Sequence, residues 1–193
     1  AAAPVSSVAP GAVTSGTQIS LTTETENGAI YYTTDGSVPT ENSTRYTEPI
    51  EINQDTTIKA FVMANGLKDS DVSSFAYYIA VSGLQIHDIQ GASHYSPYEN
   101  QYVADIEGVV TYVADTNNFY IQSLTPDKNP STSEGILVYK RSHGLSPGDA
   151  VNISGQVKEW VLEGYSEKLE TDLPVTEINA STITVTATRQ ALP

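Results

Sequence analysis

Short strand-like segments recur along the whole chain, and their spacing constrains the fold more than any other feature of the sequence. They follow one another about every 8–12 residues, and Gly, Pro, Asn or Asp lies between them. This spacing is typical of all-β sandwiches and barrels. No long stretch keeps apolar residues at i, i+3, i+4 and i+7 without an intervening turn residue, so we expect almost no helix. The predicted strands cover residues 18–23, 29–34, 44–52, 56–65 and 73–79 in the first half, and residues 102–113, 119–124, 135–139, 150–157 and 169–176 with 182–188 in the second.

A segment of small residues, 80–83, separates the two groups of strands. Its Ala-Val-Ser-Gly sequence suits a flexible boundary. The halves on either side show no obvious repeat of one another. We therefore expect two different domains, residues 1–80 and residues 84–193.

The composition excludes several classes of protein. The absence of cysteine rules out disulfide scaffolds and Cys-ligated metal centres, and no apolar run reaches the ~18 residues of a membrane helix. Nine Lys and Arg against 23 Asp and Glu give a net charge of −14, which opposes attraction to nucleic acid and anionic lipid. Abundant Ser and Thr with few Lys favour an exported, extracellular bacterial protein.

The first half carries a recognisable set of motifs. An alternating strand runs into an Asp-Gly turn in A-I-Y-Y-T-T-D-G-S-V-P-T (29–40), followed by S-x-x-Y-x-x-P-I (43–50) and T-T-I-K-A (56–60). These residues resemble the chitobiase/beta-hexosaminidase C-terminal-like domain over roughly residues 4–79. The resemblance implies an immunoglobulin-like β-sandwich that serves secreted enzymes as a spacer or binding module. Tyr31 and Tyr32 must face opposite sides of their strand, so the outward ring could stack on a sugar or base, or merely fill the surface.

The second half has five predicted strands, and the segment 140–149 is too rich in Gly and Pro for a helix. This layout predicts an OB-fold-like β-barrel that is poor in helix. The motifs I-H-D-I-Q-G (86–91), I-E-G-V-V-T (106–111), F-Y-I-Q (119–122), E-G-I-L-V-Y (134–139) and G-D-x-V-x-I-S-G-x-V (148–157) resemble the OB-like domain before the catalytic domain of secreted bacterial nucleases of the endonuclease/exonuclease/phosphatase superfamily. The resemblance implies a non-catalytic region that precedes a downstream catalytic domain dependent on Mg²⁺ or Ca²⁺.

The chain itself offers no catalytic set. The spacing of His87, His94 and His143 fits no standard zinc motif, and neither a serine-nucleophile elbow nor a phosphate-binding Gly loop occurs. A calcium loop is one interpretation of Asp127, Asn129 and Ser131, whose oxygens alternate along the chain. The other interpretation is a polar hairpin loop, because Thr132 and Val138 stand where a calcium loop has Gly and Glu.

An OB-fold binds single strands on its second and third strands and on the loops that join strands 1–2 and 4–5. Aromatic rings there stack on bases, and basic side chains hold phosphates. The candidate residues are Tyr120, Tyr139, Lys140, Arg141, Lys158, Trp160 and Tyr165. We expect Trp160 to lie beyond a strand that ends near Val157, in a loop where Glu159, Glu163, Glu167 and Glu170 would repel phosphates.

These observations favour a non-catalytic region of an extracellular nuclease that positions or weakly binds single-stranded nucleic acid. The alternative is a cell-wall or polysaccharide-binding module, and a plain spacer is a third possibility. Salt separates the first two, because phosphate binding weakens as counterions compete and sugar stacking hardly changes.

Overall fold

The computed structural model describes residues 1–161 and 173–193. These residues are 46% strand and 3% helix, which confirms the all-β fold class. They form two compact units, Ala1–Ala80 and Val81–Pro193. Within the described ranges, no helix is long and apolar enough to cross a membrane.

The first unit is a β-sandwich of nine strands. Its strands are β1 (Val5–Ser6), β2 (Gly11–Val13), β3 (Thr17–Ile19), β4 (Leu21–Thr22), β5 (Ala29–Thr33), β6 (Thr44–Arg45), β7 (Ile50–Ile52), β8 (Thr56–Met63) and β9 (Ser73–Val81). One sheet has the order β6-β5-β8-β9-β2, with β2 and β9 parallel and the other pairs antiparallel. Two antiparallel pairs, β1–β4 and β3–β7, complete the unit.

The core of the first unit comes from alternate residues of these strands. Ile19, Ile52, Ile58 and Tyr77 are fully buried there. The Tyr77 hydroxyl donates a hydrogen bond of 2.8 Å to the carbonyl of Val8, so the one polar atom of this ring is satisfied inside the core.

Two predicted strands of the first unit are each split in the structure. Residues 44–52 were expected as one strand, but β6 and β7 are separate and pair with β5 and β3 respectively. Pro49 lies between them and has no N–H to give to a ladder, which explains the break. Residues 18–23 likewise divide into β3 and β4, which pair with β7 and β1.

In the part of the second unit that the structure describes, a closed barrel of five strands is preceded by one short helix. The elements are α1 (Ile86–Gln90), β10 (Tyr102–Val113), β11 (Asn118–Gln122), β12 (Gly135–Tyr139), β13 (Ala150–Trp160) and β14 (Val175–Ala187). Going round the barrel, the order is β10-β11-β12-β14-β13 and back to β10. Every pair is antiparallel except β12–β14, which is parallel.

The barrel is filled by the inward residues of all five strands and is closed on one side by α1. Phe119, Ile121, Ile153 and Ile178 are fully buried in this core. Ile86 and Ile89 of α1 join the same cluster. The helix begins at Gln85, where the Asp88 carboxylate accepts a 2.8 Å hydrogen bond from the Gln85 backbone N–H in a capping box.

The short helix α1 agrees with the prediction of a barrel that is poor in helix, although its position was not predicted. Two predictions for the strands of the second unit were wrong. The strand expected to end near Val157 continues to Trp160, because β14 pairs with it as far as Val175. The sequence predicted two segments, residues 169–176 and 182–188, but β14 is one strand with two bulges in its pairing with β13. Residues 169–172 of the first predicted segment lie outside the described residues.

Candidate functional site

A groove lies on the outer surface of the barrel, across β11, β12 and β14. The inward residues of these strands alternate with outward ones, and the register places Tyr120 opposite Leu137 and Tyr139 opposite Asn179. Glu177 is the partner of Leu137 on the other side. The groove has a volume of about 490 Å³ and is lined by Ala114, Asp115, Asn118, Tyr120, Leu137, Tyr139, Trp160, Glu177 and Asn179.

Three aromatic side chains give the groove its apolar surface. Tyr120 is 39% exposed and Trp160 is 37% exposed, so part of each side chain is accessible to a ligand. Tyr139 is half-buried at the end of β12. Because each ring stands on a paired strand, the stacking surface is held by the sheet rather than by a loop.

A carboxylate is fixed at one end of the groove by the turn between β10 and β11. Asp115 accepts hydrogen bonds from the backbone N–H groups of Asn117 (2.7 Å) and Asn118 (2.9 Å) and from the Asn118 side-chain amide (2.9 Å). The Asn118 side chain contributes most to holding the pKa of Asp115 below its usual value, followed by the Asn117 N–H. Asp115 is therefore ionised at neutral pH.

A second carboxylate, Glu177, lies half-buried in the floor of the groove. Burial raises the pKa of Glu177 above its ordinary value of 4.5, because the charged form loses hydration there. Lys158 is its cross-strand partner on β13, but the Lys158 ammonium donates to the Asn100 side-chain oxygen at 2.9 Å. The described lining residues of the groove include two acids and no cation.

The structure brings together only part of the predicted site. Tyr120, Tyr139 and Trp160 share the groove. Lys140 and Arg141 line a different depression with Ser181, whose carbonyl accepts a hydrogen bond from the Lys140 ammonium.

Tyr165 and the loop acids Glu163, Glu167 and Glu170 lie outside the described residues. Glu159 was expected in that loop but belongs to β13. Its carboxylate accepts hydrogen bonds from the Ser96 backbone N–H at 2.6 Å and from the Thr176 hydroxyl at 3.0 Å. These hydrogen bonds join β13 to the segment that contains Ser96 and to Thr176 on β14.

Sequence reasoning missed Glu177, Asn179 and Asp115. The first two follow from the alternation of β14, where buried Ile178 puts both neighbours on the outer face. That signal was readable in the sequence, but their place beside Tyr139 depends on the parallel pairing of β12 and β14.

The candidate calcium residues mainly support their own loop. Asp127 accepts a hydrogen bond from the Asn129 N–H at 2.6 Å, and Asn129 accepts one from the Ser131 N–H at 3.1 Å. These are side chain-to-backbone turns of the kind a polar loop makes. The Asn129 N–H is also the main cause of the lowered pKa of Asp127.

The Tyr31–Tyr32 pair and His143, which were considered from the sequence as functional residues, make structural contacts. Tyr32 packs against the sandwich core and meets Tyr46 edge-on, whereas Tyr31 lies beside Phe61 and lines a polar depression of the first unit. The centroids of the His143 and Phe119 rings lie 4.7 Å apart. Its Nε2 lies 3.0 Å from the Asp115 carbonyl and its Nδ1 accepts the Leu145 N–H, so the ring holds its own loop in place.

The paired strands define the first unit as a β-sandwich module. Residues 8–74 match the family model of the chitobiase/beta-hexosaminidase C-terminal domain, which confirms the resemblance seen in the motifs of that half. The match spans about a third of the chain, lies within the first unit and concerns no nuclease. No curated protein matches the chain.

Proposed function

We propose that this chain is a non-catalytic accessory region of an extracellular carbohydrate-active enzyme, and that the groove of the barrel binds a polysaccharide. The observation that carries the proposal is the groove itself, which Tyr120, Tyr139 and Trp160 line together with Glu177 and Asn179. The match of residues 8–74 to a domain of chitobiases and beta-hexosaminidases supports the same class of parent enzyme.

The chemistry of the groove suits a sugar ring. A pyranose has an apolar C–H face that packs on an aromatic ring and an equatorial rim of hydroxyl groups that hydrogen-bond to carboxylates and amides. Glu177 can accept from such hydroxyls, and Asn179 can both donate and accept. Because Glu177 and Asp115 both lie in the groove, the ligand is a neutral sugar polymer rather than an anionic one.

The same electrostatics disfavour nucleic acid. Binding of phosphates depends on Lys and Arg beside the strand, yet Lys140, Arg141 and Lys158 do not line the groove. The chain as a whole carries −14. We therefore rank the polysaccharide-binding module above the nuclease accessory region that the motifs of the second half first favoured.

The barrel topology supports an OB-like assignment for the second unit. Its order, with a single parallel pair closing a five-stranded antiparallel barrel, suits a Greek-key barrel of that kind. OB-folds bind oligosaccharides as well as oligonucleotides on their second and third strands, which correspond here to β11 and β12. The groove lies on those two strands.

The test is a binding titration of the full chain followed by Trp160 fluorescence. The probes are chito-, cello- and xylo-oligosaccharides and, separately, an oligo-dT strand, each at low and at high salt. We expect a neutral oligosaccharide to change the fluorescence and to bind almost equally at both salt concentrations. Salt-sensitive binding of oligo-dT without any sugar binding would favour the nuclease interpretation. If no probe changed the fluorescence, the interpretation as a plain spacer would be favoured instead.

Variants then locate the site by calorimetry, which does not depend on the tryptophan. Covering about 50 Å² of ring face is worth roughly 1.3 kcal/mol, or about tenfold in affinity, so Tyr120→Ala, Tyr139→Ala and Trp160→Ala should each weaken sugar binding by about that factor. The control is Tyr95→Ala, because Tyr95 is 49% exposed and does not line the groove. An equal loss in the control would place the site elsewhere.

A further inference from the structure

Three metal-ligating side chains converge at the end of β11 and β12 that is opposite to the Asp115 turn. His87 comes from α1, and Asp127 and Glu134 come from the connection between β11 and β12. One ligand atom from each of the three lies within 4.8 Å of the others. The groove shares none of these residues, so the cluster is independent of the proposed sugar site.

We propose that His87, Asp127 and Glu134 form a binding site for a divalent transition metal of the zinc type. One imidazole nitrogen with two carboxylate oxygens is a donor set that Zn²⁺ accepts. Ca²⁺ requires six to eight oxygen ligands and would gain little from an imidazole. The site therefore differs from the oxygen-only calcium loop considered for Asp127, Asn129 and Ser131.

The distance between the His87 and Glu134 ligand atoms fits such an ion. Two ligand atoms that each lie about 2.0–2.2 Å from a tetrahedral Zn²⁺ are about 3.3–3.6 Å apart. The Nδ1 atom of His87 lies 3.3 Å from Oε2 of Glu134. These two atoms lie at hydrogen-bond distance, and a bound ion would replace the proton between them.

The three side chains are held in place before any ion binds. Ile86 and Ile89 flank His87 on α1 and are both fully buried in the barrel core, which fixes the helix. Glu134 uses Oε1 to accept the Asp127 N–H at 2.7 Å and leaves Oε2 towards His87. The Asp127 carboxylate accepts the Thr132 hydroxyl at 2.9 Å as well as the Asn129 N–H, and each of its oxygens keeps a further lone pair.

The surroundings also favour a cation. The His87 and Glu134 side chains are only 16% and 20% exposed, so water screens their attraction to an ion less than at the open surface. Asp88 places Oδ1 4.0 Å from the second ring nitrogen of His87, which is too far for a hydrogen bond but adds a further negative charge beside the ring. A bound ion would join α1 to the β11–β12 connection and so stabilise the barrel.

The experiment is a titration of the EDTA-treated full chain with ZnCl₂ and, separately, with CaCl₂. Calorimetry should show one equivalent of Zn²⁺ bound, and the thermal transition followed by Trp160 fluorescence should rise by several degrees with Zn²⁺ and not with Ca²⁺. Absence of Zn²⁺ binding, or an equal response to Ca²⁺, would overturn the proposal.

Variants decide whether the bound ion sits at this cluster. His87→Ala and the nearly isosteric Glu134→Gln should each weaken Zn²⁺ binding at least tenfold. The control is His94→Ala, which removes an exposed histidine seven residues along the chain and should bind as the parent does. If His87→Ala does not fold, Glu134→Gln alone decides the question. Loss of binding in the control, or full binding in Glu134→Gln, would refute this site.

Discussion

The close approach of β13 and β14 at Gly155 gives the sharpest stability prediction. A Cβ atom added to Gly155 would lie 2.7 Å from the Cα of Ala180 and closer still to the carbonyl oxygen of Asn179. Both neighbours are backbone atoms of the paired strand, so no side chain can turn aside. The substitution Gly155→Ala must therefore push the two strands apart where they close the barrel.

The expected loss can be estimated from the kind of contact. Overpacking in a protein interior costs about 1–3 kcal/mol, and contact with paired backbone belongs at the upper end of that range. A loss of about 3 kcal/mol is a more than hundredfold change in the unfolding equilibrium. With a denaturant slope of about 1–3 kcal/mol/M, the urea midpoint should fall by about 1 M or more.

The assay is equilibrium unfolding in urea followed by Trp160, the single tryptophan, which stands in β13 and so reports on the barrel. Gly135→Ala is the matched control, because Gly135 is also a barrel-strand glycine but its added Cβ would meet nothing closer than the Ile121 carbonyl oxygen at 3.7 Å. The control should stay within about 1 kcal/mol of the parent. Equal midpoints for Gly155→Ala and the parent, or equal losses in both variants, would refute the steric argument.

Two further variants test a buried hydrogen bond and a half-buried carboxylate. Tyr77→Phe removes the donor to the Val8 carbonyl inside the sandwich core and should cost about 1 kcal/mol in the free energy of unfolding of the first unit, measured by far-ultraviolet circular dichroism; a cost near zero would mean that water replaces the hydroxyl. Burial raises the pKa of Glu177, so the folded chain holds that proton more tightly than the unfolded chain does. The ionised carboxylate therefore destabilises the folded chain. This loss of stability is absent below the ordinary pKa and grows as the pH rises from there to the folded pKa. Glu177→Gln should therefore unfold at higher urea than the parent at neutral pH and equally at about pH 4, and a difference independent of pH would contradict this.

Local patterns predict the strands that have clear turns at both ends. The bounds of β10 and β12 are those expected from the sequence, because alternating or β-branched runs there end at turn residues. The segment 44–52 failed because the two halves of an apparently continuous strand pair with different partners. The pairing of strands is set by tertiary structure, so the alternation of side chains within one segment cannot predict which strands become partners.

The candidate site divides in the same way. Tyr120 and Tyr139 were expected on the binding face because neighbouring barrel strands share it. The acid beside them was missed, since Glu177 reaches the groove only through the parallel register of β12 and β14. The contact between His87 and Glu134 was equally invisible, because the two residues are 47 positions apart and belong to no spacing motif.

The position of β14 in the barrel also determines when the second unit can fold during synthesis. β14 follows the other four described barrel strands in the chain, yet it pairs with both β12 and β13, and without it those four strands form an open sheet with two unpaired edges. Exposed edges of that kind are sites for pairing with other chains, and parallel contacts between distant segments form slowly. The emerging chain is therefore most prone to aggregate in the interval between completion of β13 at Trp160 and arrival of β14.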